Sequence, residues 1–132
     1  MIIKNAIITP DGTELVSEYR HDFKMHLDTV TGKEYGVDGG NDYQRLIGDY
    51  HECKVILIQS ESSAFEEIRT FFKWGSYGKD GKGPAVKKSL AELSDAHIEA
   101  IIKTQTHLSP NTIGLFKLEQ KYRTDNAIEI KE

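Results

Sequence analysis

Leu15-Val16-Ser17-Glu18-Tyr19-Arg20-His21-Asp22-Phe23-Lys24-Met25-His26-Leu27-Asp28 is the stretch on which the fold turns. Leu15, Ser17, Tyr19, His21, Phe23, Met25 and Leu27 fall on one side of an extended chain. Val16, Glu18, Arg20, Asp22, Lys24, His26 and Asp28 fall on the other, the period of two shown by a half-buried strand. Before it, Ile2–Ile8 is mostly apolar and β-branched and runs into Thr9-Pro10-Asp11-Gly12-Thr13, where proline presets one turn angle and glycine accepts a positive φ. After it, Thr29–Lys33 contains Gly32 and makes a second turn, so that Glu34–Val37 returns as a third strand of an antiparallel meander. Asp38-Gly39-Gly40-Asn41-Asp42 reads as a sharp loop, followed by a short helix that carries Tyr43, Leu46 and Ile47 and stops at Gly48. Lys54–Gln59 holds the continuous apolar run Val55-Ile56-Leu57-Ile58, which places it centrally in the sheet.

The second half carries helix signals. Ser63 with Glu66 three residues on makes a capping box before Phe65, Ile68 and Phe72, predicting a helix over about Ala64–Lys73. Ser94 is the N-cap of a second helix, with Asp95 in its first turn and a Leu93–Ile98 staple. Ser109 caps a third, with Pro110 at its first position and Leu108 paired with Ile113. Strands followed by helices give an α+β fold: an antiparallel meander of about four strands, then three helices. A single domain over 1–123 and a flexible tail over 124–132 are expected, since 132 residues suit one domain.

Composition excludes several classes. With 38% hydrophobic and 29% charged residues and a mean hydropathy of -0.50, the chain is too apolar for disorder and too polar for a membrane protein. The single Cys53 leaves no internal disulfide and no cysteine zinc site. No leader pattern opens the sequence, so the expected location is cytoplasmic. Neither a cofactor nor a resident metal is expected.

The least ordinary stretch is Trp74-Gly75-Ser76-Tyr77-Gly78-Lys79-Asp80-Gly81-Lys82-Gly83-Pro84. From Arg69 to Lys88, six basic residues oppose Asp80, a local balance of +5 inside a chain of net charge -4. Glycines let backbone amides converge, while Lys79, Lys82, Lys87 and Lys88 add charge and Trp74 and Tyr77 add aromatic faces. These six residues are the candidate binding set. Neither pair makes a Walker A loop: Gly75 to Gly81 is one residue too long, and Gly83 is followed by Pro84 where the motif needs Lys and then Ser or Thr. The bland alternative is a flexible connector with solvated lysines whose aromatic ends anchor in the core.

Arg20-His21-Asp22, His26, Asp38 and Asp42 are the residue types of metal and acid–base sites. On one strand, His21 points away from Asp22 and His26, so a shared site needs residues from elsewhere, and turn, cap or packing roles account for each. Cys53 has His51 as a neighbouring base, a thin basis for a nucleophile, and His97 and His107 sit at helix ends. No catalytic set is assigned.

Arg20-His21-Asp22-Phe23, Val37-Asp38-Gly39-Gly40 with Asp42-Tyr43, and Trp74-Gly75 with Gly78-Lys79-Asp80-Gly81-Lys82 resemble a group of small uncharacterised proteins of tailed bacteriophages. His97-Ile98, Thr104-Gln105 and Glu119–Arg123 extend the likeness in patches. Some similar proteins carry paired cysteines in the first hairpin, like a zinc ribbon; Thr9-Pro10-Asp11-Gly12 stands here without them. The resemblance implies an accessory protein acting in the infected host cell and brings no catalytic residues. The expected function is non-enzymatic binding of a host or anti-phage defence protein through the basic loop. The alternatives are recognition of a phosphorylated ligand or nucleic acid by the same loop, and a metal-dependent hydrolase or nuclease using Asp22, His26 and Asp38.

Overall fold

The computed structural model describes residues 1–76 and 83–131. The fold is α+β: antiparallel strands in small sheets, with three helices. The chain divides into two compact units, Met1–Ile68 and Arg69–Glu132, with the division falling inside the first helix.

The first unit contains two three-stranded sheets. β1 (Ile2–Ile8) lies between β2 (Glu14–Ser17) and β6 (Lys54–Gln59), and β4 (Glu34–Asp38) lies between β3 (Lys24–Leu27) and β5 (Arg45–Ile47). Their inner faces bury Ile7, Tyr35 and Val37 together, with Leu15, Leu46 and Cys53 packed around them. Apolar residues at alternate positions make this possible, because every second side chain of a strand reaches the same side.

Three expectations for this unit are corrected. The long strand over Leu15–Asp28 is interrupted, leaving β2 and β3 separated by a turn in which the Asp22 amide donates to the Tyr19 carbonyl at 2.9 Å. Hydrogen bonding outweighs alternation here: the buried Asp22 carboxylate accepts the Glu18 amide at 2.8 Å, and Ser17 Oγ donates to the Asp22 carbonyl at 2.6 Å. Gly40, at φ +52°, lets the next loop approach so closely that a Cβ there would run into the Tyr19 backbone. Second, the segment expected as a short helix with Leu46 and Ile47 is β5, paired antiparallel to β4, and a single 3-10 turn follows at Tyr50–Glu52. Third, β6 is an edge strand with Val55 and Leu57 exposed, while Ile58 is buried.

The second unit begins within α1 (Phe65–Phe71), shorter than expected because the chain re-enters extended structure at Lys73. β7 (Lys73–Ser76) and β8 (Val86–Ser89) pair as an antiparallel ribbon that sequence periodicity did not signal. A 3-10 turn at Leu90–Glu92 carries a capping box between Ser89 and Glu92. α2 (Asp95–Thr104) and α3 (Pro110–Asp125) start at the expected caps, with Ser94 Oγ accepting from the His97 amide at 3.1 Å and Ser109 Oγ from the Thr112 amide at 3.2 Å. Leu90, Leu93, Ile98, Ile101, Leu115 and Phe116 are buried. Buried with them is an ionic network: Glu119 accepts from Arg69 at 2.8 and 2.7 Å and from Arg123 Nε at 2.7 Å, and Arg123 also donates to Asp95 at 2.6 Å. Near the C-terminus the Asp95 amide donates to the Ile130 carbonyl and the Ile130 amide to the Asp95 carboxylate.

Candidate functional site

The basic glycine-rich segment connects the two strands of the β7–β8 ribbon, so its flanking residues have a defined register: Lys73 opposite Ser89, Trp74 opposite Lys88, Gly75 opposite Lys87 and Ser76 opposite Val86. Opposed residues of an antiparallel pair share a face. Trp74 and Lys88 therefore lie on one face, and Gly75 and Lys87 on the other. Lys73, Lys87 and Lys88 are exposed. Trp74 is half-buried, its ring edge-on to Phe116 at 5.2 Å between centroids, and Phe72 meets the same ring at 5.8 Å. Trp74 thus anchors one strand of the ribbon in the core. A Cβ added at Gly75 would meet nothing within 4 Å, so that part of the opposite face lies open.

Arg69 belongs to a different environment. Its guanidinium is spent on Glu119 and stacks over Tyr122 at 4.4 Å, so it does not add to the charge of the ribbon. Glu92 lies at the foot of the ribbon, its carboxyl held below the usual range by the Ser89 hydroxyl first and by the Ser89 amide, with Lys73 and Lys88 adding to the effect. Tyr77, Lys79 and Lys82 lie outside the described residues.

A second cluster joins two blocks far apart in the chain. His21, a non-glycine residue at φ +65°, places Nδ1 2.8 Å from the Tyr43 hydroxyl. Tyr43 donates that hydroxyl to Asp38 Oδ2 at 3.3 Å, which leaves its oxygen to accept from His21 Nδ1–H. Arg45 donates to Asp38 Oδ2 through Nε at 3.2 Å and Nη2 at 3.1 Å. Asp38 is 5% exposed, and its Oδ1 is buried with no hydrogen-bond partner among the described residues. Burial raises the Tyr43 hydroxyl above its ordinary value, and the neighbouring Asp38 charge pushes the same way. Asn5 Nδ2 holds the loop by donating to the carbonyls of Asp38, Gly40 and Tyr43 at 3.2, 3.1 and 2.9 Å. Sequence reasoning singled out His21 and Asp38 but missed Tyr43 as the link and Arg45 as the counter-charge. The Asp-Tyr pair after Gly39-Gly40 was the available signal for Tyr43, and nothing in the spacing marked Arg45.

The charges around the cluster are paired. Arg20 pairs with Asp42 at 3.1 Å, Lys24 with Asp22 at 3.3 Å and Arg45 with Asp38 at 3.1 Å. Asp22, His26 and Asp38, grouped by sequence as a hydrolase set, enter three separate networks. Asp22 binds the Glu18 amide and Lys24, Asp38 binds Tyr43 and Arg45, and His26 Nε2 lies 2.8 Å from Asp11 Oδ2.

Asp11, His26 and Asp28 do converge, with one ligand-type atom from each lying within 4.8 Å of the others. The carboxylates already face backbone and hydroxyl donors. Asp11 Oδ1 accepts from Thr9 Oγ1 and the Thr13 amide, Asp11 Oδ2 from His26 and from the amide and hydroxyl of Thr29. Asp28 accepts the amides of Asp11, Val30 and Thr31. Its geometry is that of a lock between the 9–13 and 28–33 turns, and Asp11 is accordingly held far below the usual carboxylate range, by Thr9 first and His26 second. The Cys53 thiol is pushed up, mainly by burial and then by the charges of Asp28 and Glu52, the opposite of an activated thiolate. His51 packs against Tyr50 at 4.4 Å. Among the described residues no helix is long and apolar enough to cross a membrane. In comparisons with known protein families, curated proteins and solved structures, none matches this chain.

Proposed function

We propose that this chain works by binding, as an accessory protein of the tailed-bacteriophage kind it resembles, and that it docks a negatively charged surface of a host or anti-phage defence protein through the β7–β8 ribbon. The observation that carries this reading is the exposure of Lys73, Lys87 and Lys88 on a two-stranded ribbon rooted by Trp74 on Phe116. A paired ribbon holds its charges at fixed spacing, so less side-chain and backbone freedom is lost on docking than from an unpaired loop. Exposed cations on an otherwise acidic chain also steer an acidic partner into the correct orientation. Because the Trp74 ring serves as an anchor, the arrangement favours a protein partner over base stacking by a nucleotide or nucleic acid.

The test is affinity capture from host lysate at low and high salt, comparing the native chain with a Lys87→Glu/Lys88→Glu variant. The proposal expects a partner recovered at low salt, weakened by added salt and lost with the variant. Recovery unchanged by charge reversal refutes the ribbon as the contact. An affinity for oligonucleotides that depends on Lys87 and Lys88 assigns the ribbon to nucleic acid instead.

A further inference from the structure

Where the loop before β5 meets the start of β1 and the end of β6, the first unit has a cavity of about 580 Å³, within the range of small-molecule sites. Its carboxylates are already matched: Asp42 pairs with Arg20 at 3.1 Å, and Glu61 with the amino group of Met1. Among the described residues that line it no cation is left over, so hydrogen bonding and shape select the occupant. Three carboxamides line it, those of Asn41, Gln44 and Gln59. Gln44 reaches from the loop to the other sheet, and its Nε2 donates to Asn5 Oδ1 at 2.9 Å and to the Ile56 carbonyl at 3.0 Å. Both amide protons are thus spent, and Oε1 is held in place as an acceptor. Gln59 is the converse: its Oε1 accepts from the Ser62 hydroxyl at 3.4 Å, and its Nε2 protons remain to be donated. The exposed Asn41 brings a donor and an acceptor of its own. Tyr43 has its hydroxyl engaged between His21 and Asp38, so what it gives the cavity is its ring, while Leu57, 40% exposed, and Ile2 add apolar wall.

A fixed acceptor and separate donors beside an aromatic ring and aliphatic side chains are complementary to a flat, uncharged group with a donor and an acceptor side by side on its edge. Purine and pyrimidine bases have such an edge, and Asn and Gln are side chains that pair with it. We propose that this cavity binds the base of a nucleoside. Gln44 Oε1 accepts from a base N–H, Gln59 or Asn41 donates to a ring nitrogen or carbonyl, and Tyr43 and Leu57 lie against the flat of the base. A phosphate finds no unpaired cation here, so a nucleotide gains nothing over its nucleoside. The site is preformed. Asn5 Nδ2 donates to the carbonyls of Gly40 and Tyr43 at 3.1 and 2.9 Å, and the amides of Asp42 and Tyr43 close on the Gly39 carbonyl at 3.0 and 3.3 Å. A loop held in this way loses little freedom when a ligand enters.

Proton–nitrogen NMR of the full chain tests this by following the side-chain amide signals of Asn41, Gln44 and Gln59 during titration with adenosine, inosine, cytidine and uridine. Concentrations run to about 5 mM, which covers the weak end of small-ligand affinity. Saturable shifts of the Gln44 and Gln59 signals are expected with at least one nucleoside, and its 5′-phosphate is expected to bind no more tightly. Asn41→Ala/Gln59→Met removes the donors while leaving Gln44 and the ring in place, and is expected to weaken binding about tenfold. Circular dichroism melts verify that the variant folds. N-acetylglycinamide, which has amide groups but no base ring, is expected to give no shift. The proposal is overturned by a flat titration with all four nucleosides, by binding that the variant leaves unchanged, or by tighter binding of the nucleotide. Equal binding of the acyclic amide overturns it too and assigns the cavity to a peptide. Lys87→Glu/Lys88→Glu leaves the shifts intact, which separates this site from the ribbon reading.

Discussion

Replacing Glu119 by Gln tests the ionic network of the second unit at its centre. Glu119 is fully buried and receives two N–H donors from Arg69 and one from Arg123, which is itself 4% exposed. Gln keeps the volume but removes the negative charge, leaving a buried guanidinium on Asp95, whose side chain is 45% exposed, and on the carbonyls of Leu90 and Ala91. Breaking one partner out of a buried ion pair costs about 3–5 kcal/mol, because the surviving charge stays desolvated. A unit of about 60 residues holds roughly 3–9 kcal/mol at the usual stability per residue, so the substitution consumes most of it. At roughly 4–8 °C per kcal/mol for a unit of this size, the expected loss in Tm exceeds about 10 °C. Trp74, the single tryptophan, sits against Phe116 in the same unit, so its fluorescence during urea and thermal unfolding reads the change directly. A loss below about 1 kcal/mol, the value of an exposed pair, refutes the reasoning. A Glu119→Leu/Arg69→Met/Arg123→Met variant is expected to recover much of the loss, since apolar replacement of a whole buried network is often neutral.

Two further outcomes follow from the first unit. Asp11 and Asp22 are held below the ordinary carboxylate range, Asp11 chiefly by the Thr9 hydroxyl and Asp22 chiefly by the Glu18 amide. Their contribution is complete above the unfolded-state value near 4 and declines as pH falls toward the depressed folded values. The urea midpoint is expected to drop between pH 6 and pH 3, and Asp11→Asn to flatten that drop; a parallel profile in the variant counts against the turn lock. The raised Cys53 thiol is expected to react with iodoacetamide at neutral pH more slowly than a free cysteine peptide, and to reach the peptide's rate once urea unfolds the chain. Equal rates before unfolding contradict its burial beside Ile7, Tyr35 and Val37.

The elements legible in the sequence are those whose signals are local. β1 follows from its β-branched run, and β4 from its alternation after the Gly32 turn. α2 and α3 follow from Ser94 and Ser109, because an N-cap satisfies amides within its own first turn. Side-chain hydrogen bonds and ion pairs that period and spacing do not register broke the pattern elsewhere. Alternation continues through Arg20 and His21, but the buried Asp22 carboxylate folds that segment into a turn and His21 adopts a left-handed backbone. Helical spacing around Leu46 and Ile47 gave way to β5 because Arg45, opposite Asp38, supplies the counter-charge that a buried carboxylate requires. The Val55–Ile58 run suggested a central strand, yet apolar character does not specify how many neighbours a strand has.

For the candidate sites, the sequence by itself determined composition and order: a basic glycine-rich segment beside Trp74, a His21 block, an Asp38 block, and an α+β sequence of strands before helices. Tertiary structure decided which of these meet. It turned the flanks of the basic segment into paired strands, spent Arg69 on Glu119, linked His21 to Asp38 through Tyr43, and left Phe23, Met25 and Leu27 on the outside of a sheet. The reason is physical. Caps and turns are satisfied within a few residues, whereas β1 takes β6 as a partner and Glu119 takes Arg69 from about fifty residues away, where local pattern carries no information about who will be adjacent.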